Sequence, residues 1–203
     1  MKKEKQKKIT RGLGYSLIRP ILKLYSLICL RPKIVGKKNL PKGGYILAGT
    51  HLSYYDPVVI GNITMRPIHF LAKKELMDKK VLGSILSFMG IIRVDRSTKN
   101  PEAKKEAIDA LHADKVVCVF PEGTCNKTGG DLLPFKYGAV SFASKSGKPI
   151  VPFAIIGKPK PFNYKTKVII GKPMYVQDED LEKANNLLME IVRSLIKENR
   201  NEK

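Results

Sequence analysis

The sequence predicts a single α/β domain with a mixed, mostly parallel central sheet flanked by helices, preceded by an N-terminal amphipathic helical segment. Two observations carry this prediction. Beyond Arg31, short apolar runs rich in β-branched residues and bounded by Gly or Pro alternate with helix-like patterns, the rhythm of a sheet whose strands are joined through helices. Before that point, Leu13, Leu17, Ile21, Leu24 and Ile28 recur at three- and four-residue spacings, which places them on one side of a helix. The division that follows is a basic helical segment over residues 1–31 and an α/β domain over 32–203.

Along the chain, residues 9–30 read as one amphipathic helix that Pro20 should kink or split, because a mid-helix proline removes a hydrogen bond and clashes with the turn before it. From Lys2 to Lys38 the many basic residues face one acid, Glu4. Apolar side chains beside so many cations suit a helix lying in an anionic bilayer interface, where burial and charge attraction add. A helix packed on the domain with a solvated basic tail is the alternative. Strands are expected at 45–49, 68–72, 91–94, 116–120, 150–156 and 167–170, and helices at 57–63, 80–88, 101–113 and 137–146. A last helix is expected at 178–199, with Leu181, Ala184, Leu188, Ile191, Leu195 and Ile196 on one side.

Composition narrows the function. With 38 Lys and Arg against 18 Asp and Glu, the 203-residue chain carries a formal charge of +20, which attracts polyanions: nucleic acid, anionic lipid or a phosphorylated substrate. Aromatic residues make up only 7% and no nucleic-acid-binding motif is present, so a nucleic-acid partner is not expected. Cys29, Cys118 and Cys125 have no metal-ligand spacing and cannot all pair, which argues against a disulfide scaffold and a zinc site. Neither the N-terminal segment nor the run 81–92 offers the roughly 20 uncharged residues a membrane span needs. The N-terminal segment also lacks a cleavage site of small residues, so it reads as retained.

The sharpest local feature is His51-Leu52-Ser53-Tyr54-Tyr55-Asp56-Pro57, directly after the apolar run 45–49. An Asp five residues beyond a His can fold back through a turn and accept one ring N–H. The other ring nitrogen is then free to take a proton from a hydroxyl. Each residue has a plainer role open to it: Asp56 before Pro57 is also a helix N-cap signal, and His51 alone fits a structural histidine. A second cluster, Phe120-Pro121-Glu122-Gly123-Thr124, ends the run 116–120, and Leu133-Pro134-Phe135-Lys136-Tyr137-Gly138 follows a polar loop. Gly123 permits close backbone approach, and amides with a nearby Lys can hold a phosphate or an oxyanion.

These blocks, with Gly90-Ile91-Ile92-Arg93-Val94-Asp95-Arg96 and Val151-Pro152-Phe153, occur in the order seen in the 1-acylglycerol-3-phosphate acyltransferases of the glycerolipid acyltransferase superfamily. Its signature is a His, four residues and an Asp, and this chain resembles that family over about 33–171. The resemblance implies that His51 is the general base and Asp56 its orienting partner. Arg96 and Lys73 would bind the acceptor's phosphate, with Glu122, Gly123, Thr124 and Lys136 shaping or completing that pocket. It further implies a lysophospholipid acceptor and an acyl thioester donor carried by acyl carrier protein or coenzyme A. No cofactor or metal is expected, and the setting implied is the cytoplasmic face of the cell membrane.

One residue departs from the pattern: the family's usual Arg after Glu-Gly-Thr is here Cys125, which puts the acceptor's head group in question. Cys125 as a covalent nucleophile is disfavoured, since a His-Asp pair suffices for direct transfer. Other acceptors, such as glycerol 3-phosphate or a different lysolipid, and a non-catalytic basic lipid- or nucleic-acid-binding role are the alternatives.

Overall fold

The computed structural model describes residues 2–95, 100–128, 132–176 and 180–200, with side chains described from residue 14 onward. Among the described residues, β1 (Lys33–Val35), β2 (Tyr45–Gly49), β3 (Ile68–Lys73), β4 (Ile92–Val94), β5 (Val116–Val119), β6 (Ile150–Ile156) and β7 (Lys167–Ile170) form one sheet, ordered β1-β7-β6-β2-β5-β3-β4. Every neighbouring pair is parallel except β6 and β7. The stretch joining those two contains no helix, so the chain returns as an antiparallel neighbour rather than crossing over. The expected mixed, mostly parallel sheet is present.

Central strand β2 explains both layers. Its side chains are fully buried, as a parallel strand covered on both faces must be, and they alternate. Ile46 and Ala48 pack with α5 (Pro101–His112), α6 (Gly138–Ser146) and α7 (Leu181–Arg200) through Ala107, Leu111, Val140 and Leu188. Tyr45 and Leu47 face the opposite layer, with Leu30 and with Val59 and Ile60 of α2 (Asp56–Ile60). The same layer holds α1 (Lys2–Tyr25), α3 (Lys74–Met77) and α4 (Lys80–Phe88).

One local expectation is corrected, and two short elements were not anticipated. α1 is not split at Pro20 but continues to Tyr25, and a π-helical turn follows at Ser26–Leu30. That turn ends at Arg31, whose left-handed backbone (φ 42°) returns its N–H to the Ser26 carbonyl at 2.7 Å. The proline costs one backbone hydrogen bond, while tertiary contacts hold the segment: Arg19 donates to the Thr64 carbonyl at 3.0 Å and Asn62 to the Ser26 hydroxyl at 2.8 Å. Strand β1 was not anticipated, because three residues beginning with Lys carry no pattern. Pairing with β7, which aligns Lys33 with Lys167, creates it. The single turn α3 was likewise too short to show a period.

Candidate active site

The residues after β2 are pinned before they reach any chemistry. Ile155 donates its N–H to the Thr50 hydroxyl at 2.8 Å, tying the end of β2 to β6. The loop then wraps around the fully buried carboxylate of Asp56, whose Oδ2 accepts from Leu52 N (2.6 Å), Ser53 N (2.9 Å) and His51 Nδ1 (2.8 Å). Asp56 makes no capping bond to its own helix, where Tyr55 is the capping residue. Of the two roles open to it from sequence, the carboxylate serves the loop and the imidazole.

This arrangement sets the tautomer. A carboxylate only accepts, so Nδ1 carries the proton and Nε2 presents its lone pair. The ring is 17% exposed, stacks on Phe120 at 4.2 Å between centroids, and lines a cavity of about 890 Å3, a volume typical of ligand sites. At Nε2 the nearest partner is Cys125 Sγ, 3.2 Å away, whose thiol donates to the ring nitrogen. Burial pushes the Cys125 thiol above its ordinary pKa. The Asp56 carboxylate adds to that push, while Lys127, Lys158 and Lys73 pull the other way. The thiol is therefore protonated at neutral pH, which suits a donor and not a nucleophile.

Glu122 supports the site without lining the cavity. It is 4% exposed, and its carboxylate is occupied on both sides: Oε1 accepts the His51 backbone N–H at 3.0 Å, and Oε2 accepts from Asn126 Nδ2 (2.9 Å) and Leu133 N (3.1 Å). Direct phosphate contact is thus not available to it. A buried anion that donates nothing braces the His51 loop against the loop after β5. Asn126 N–H reinforces the brace by donating to the His51 carbonyl at 2.6 Å. Gly123 turns the chain at φ 71°, and a Cβ there would meet the Lys136 side chain at 3.0 Å, so Lys136 lies across this glycine. Gly123, Thr124 and Lys73 line the cavity beside His51. Among the described residues Lys73, Lys127, Lys136 and Lys158 form no ion pair, which leaves this end of the cavity positive. Arg96 lies outside the described residues.

The rest of the cavity is mostly apolar, with Arg19, Lys23, Glu75 and Lys79 also in its lining. Tyr15, Ile18 and Leu22 of α1 form one wall, and Leu82, Ile85 and Leu86 of α4 form the other. Sequence reasoning missed Phe120 as the ring under the imidazole, Asn126 as part of the brace and Lys158 as a cation near the base. Lys158 precedes Pro159, whose carbonyl accepts the Ser53 hydroxyl at 2.9 Å, so the β6–β7 connection is tied to the His51 loop. No local pattern announced that contact, because it joins residues about a hundred positions apart. His69 and His112 do not join the site: His69 is buried with Nδ1 against the Gly90 carbonyl at 2.8 Å, and His112 is exposed. Among the described residues no cluster of His, Cys, Asp and Glu could hold a metal ion.

The expected docking residues are only partly held by the domain. Leu17, Ile21, Leu24 and Ile28 are exposed, whereas Tyr15, Ser26 and Leu30 are buried against it; the side chain of Leu13 lies outside the described residues. No described helix is long and apolar enough to cross a membrane.

The chain is similar in sequence and in shape to known proteins. The chain is 37% identical over 152 residues to the 1-acyl-sn-glycerol-3-phosphate acyltransferase of Bacillus subtilis (72% of this chain, 75% of that one). It is 32% identical over 148 residues to the enzyme of the same name from Borreliella burgdorferi (70% of this chain, 58% of that one). The crystal structure of the 1-acyl-sn-glycerophosphate (LPA) acyltransferase PlsC of Thermotoga maritima superposes with a TM-score of 0.72 at 24% identity, covering 99% of this chain and 84% of that one, and shows the same fold. The Acyltransferase family model matches residues 31–156, which span the whole His51–Asp56 loop, the Glu122 brace and strand β6, and the chain belongs to that family.

Proposed function

We propose that this enzyme transfers a fatty acyl chain from a thioester, on acyl carrier protein or coenzyme A, to the free hydroxyl of 1-acylglycerol 3-phosphate, giving phosphatidic acid. The observation that carries the proposal is the imidazole of His51, oriented by Asp56 and lining a cavity with cations beside the ring and a mostly apolar remainder. The acceptor hydroxyl displaces the Cys125 thiol from Nε2 and gives its proton to the imidazole. The oxygen then attacks the thioester carbonyl, and the imidazolium, stabilised by Asp56, returns the proton to the departing thiolate. The acyl chain moves from sulfur to oxygen without a covalent enzyme intermediate, and no cofactor is needed.

The acceptor phosphate is held by Lys73, Lys127, Lys136 and Lys158, with Arg96 as a further donor. These cations supply the charge that the family's Arg would supply where this chain has Cys125. Acyl chains occupy the apolar part between α1 and α4. The relatives named 1-acyl-sn-glycerol-3-phosphate acyltransferase support this acceptor. The enzyme works at the cytoplasmic face of the cell membrane, docked through α1. A mass-spectrometric product assay with both thioester donors and a panel of lysolipids and glycerol 3-phosphate tests the proposal. Phosphatidic acid is the expected product. Turnover confined to a different acceptor, or none with any, would overturn it.

A further inference from the structure

The helices that wall the cavity are apolar on their outer surfaces as well. On α1 and the π-helical turn, Leu17 is 66% exposed and Ile21 69%, with Leu24, Leu27 and Ile28 also exposed. On α4, Val81 is 76% exposed, and in the β6–β7 connection Phe162 is 70% exposed. These three pieces touch. Gly14 of α1 packs directly on Phe88 of α4, where a Cβ would collide with the ring. Phe162 donates its N–H to the Cys29 carbonyl at 2.6 Å, and the Arg31 guanidinium lies over the Tyr164 ring, 4.8 Å from its centre. Apolar surface therefore runs from α4 across α1 to Phe162.

Exposed cations flank each piece: Lys79 and Lys80 beside α4, Lys23 and Arg31 along α1 and its turn, Lys160 and Lys165 around Phe162. An isolated exposed apolar residue elsewhere has the opposite setting. Leu187 on α7 lies in a shallow groove where three acids, Asp180, Glu182 and Glu190, outnumber one cation, Lys183. Large apolar surface rimmed with positive charge fits an anionic lipid interface, where side-chain burial and attraction to phosphate head groups act together.

Resting on the acyltransfer reading above, we propose that α4 and the Phe162 loop enter the membrane interface together with α1. The α1–α4 cavity then opens onto lipid, and a lysolipid can pass sideways from the bilayer to His51. The partner is an anionic bilayer surface.

The chain contains no tryptophan, so each single substitution to Trp reports from one place. Val81→Trp, Phe162→Trp, Ile21→Trp and Leu187→Trp are made in the full chain and titrated with vesicles of mixed phosphatidylglycerol and phosphatidylcholine. Emission from positions 81, 162 and 21 is expected to shift to the blue and to be quenched by brominated lipid, with position 187 unchanged. A shift at 21 without one at 81 and 162, an equal shift at 187, or a shift without vesicles that grows with protein concentration would each overturn the proposal. In parallel, the double variant Val81→Glu, Phe162→Glu should keep its turnover of a water-soluble short-chain lysophosphatidate. On vesicle-embedded acceptor it should lose about tenfold or more, the effect of keeping large apolar side chains out of lipid. Equal loss on both acceptors would count against docking. A wild-type chain inactive on every acceptor would instead remove the acyltransfer reading and leave the fluorescence result to stand by itself.

Discussion

The two faces of the sheet share their strands and differ in what closes them. Against one face, α5 and α6 press close, because Ala103, Ala107, Ala139 and Ala143 let their backbones approach the sheet and each other, and α7 packs beside them through Leu188 and Val192. Against the other, α1 and α4 stand off the sheet and leave the cavity that holds His51. Side chains on the first face spend their apolar surface on folding; some of those on the second remain available to a ligand. Stability and binding are thus separated by the sheet, and mutations on its two sides should have different signatures.

The largest effect should come from the open face. His51→Ala is expected to lower kcat by about 10²–10⁴-fold, the usual contribution of a positioned general base, while the protein stays folded by circular dichroism. On the closed face, Leu188→Ala, at a fully buried site, should cost about 2–5 kcal/mol of stability in urea titrations and leave kcat of the remaining folded enzyme unchanged. A large kcat loss there would break the separation. Glu122→Gln sits between the two. Its amide nitrogen would face N–H groups that need an acceptor, so a stability loss of about 1–3 kcal/mol is expected, together with a lower kcat from a displaced His51. Unchanged values for both would remove the brace.

Leu22→Ala, in the cavity wall, should barely alter the denaturation midpoint and should raise KM for long acyl chains more than for short ones, as a chain-length series would show. The smallest effect concerns Cys125. Burial and the Asp56 carboxylate keep its thiol protonated, so iodoacetamide should modify it more slowly than a free cysteine at pH 8. The rate should keep climbing as pH rises beyond the ordinary thiol range, and activity should fall in step with modification at that residue by peptide mapping. Rapid labelling at pH 7 would contradict the protonated-donor role.

Most of the strands were legible because buried parallel strands are runs of β-branched residues with sharp ends. The expected spans 45–49, 150–156 and 167–170 coincide with β2, β6 and β7. Helix ends moved by a few residues where capping depends on neighbours. α2 stops at Ile60, short of the expected end at 63. Within the site, His51 and Asp56 were visible because five residues of chain link them, a span one turn can close. Glu122 was visible as a member of the site but not in its function, since a carboxylate beside a glycine reads the same whether it points at a cavity or at a backbone amide.

By itself, the sequence determined the layered α/β class, the His-Asp pair and the positive charge, since periodicity, short-range spacing and net charge are local or additive properties. Only the tertiary structure decided that Asp56 orients the ring, that Cys125 rests on its free nitrogen, and that Glu122 braces the loop. It also decided that α1, α4 and the Phe162 loop share one apolar surface. All but the first of those facts depend on which distant segments the sheet order brings together, and a buried polar group takes its role from the partners it finds there.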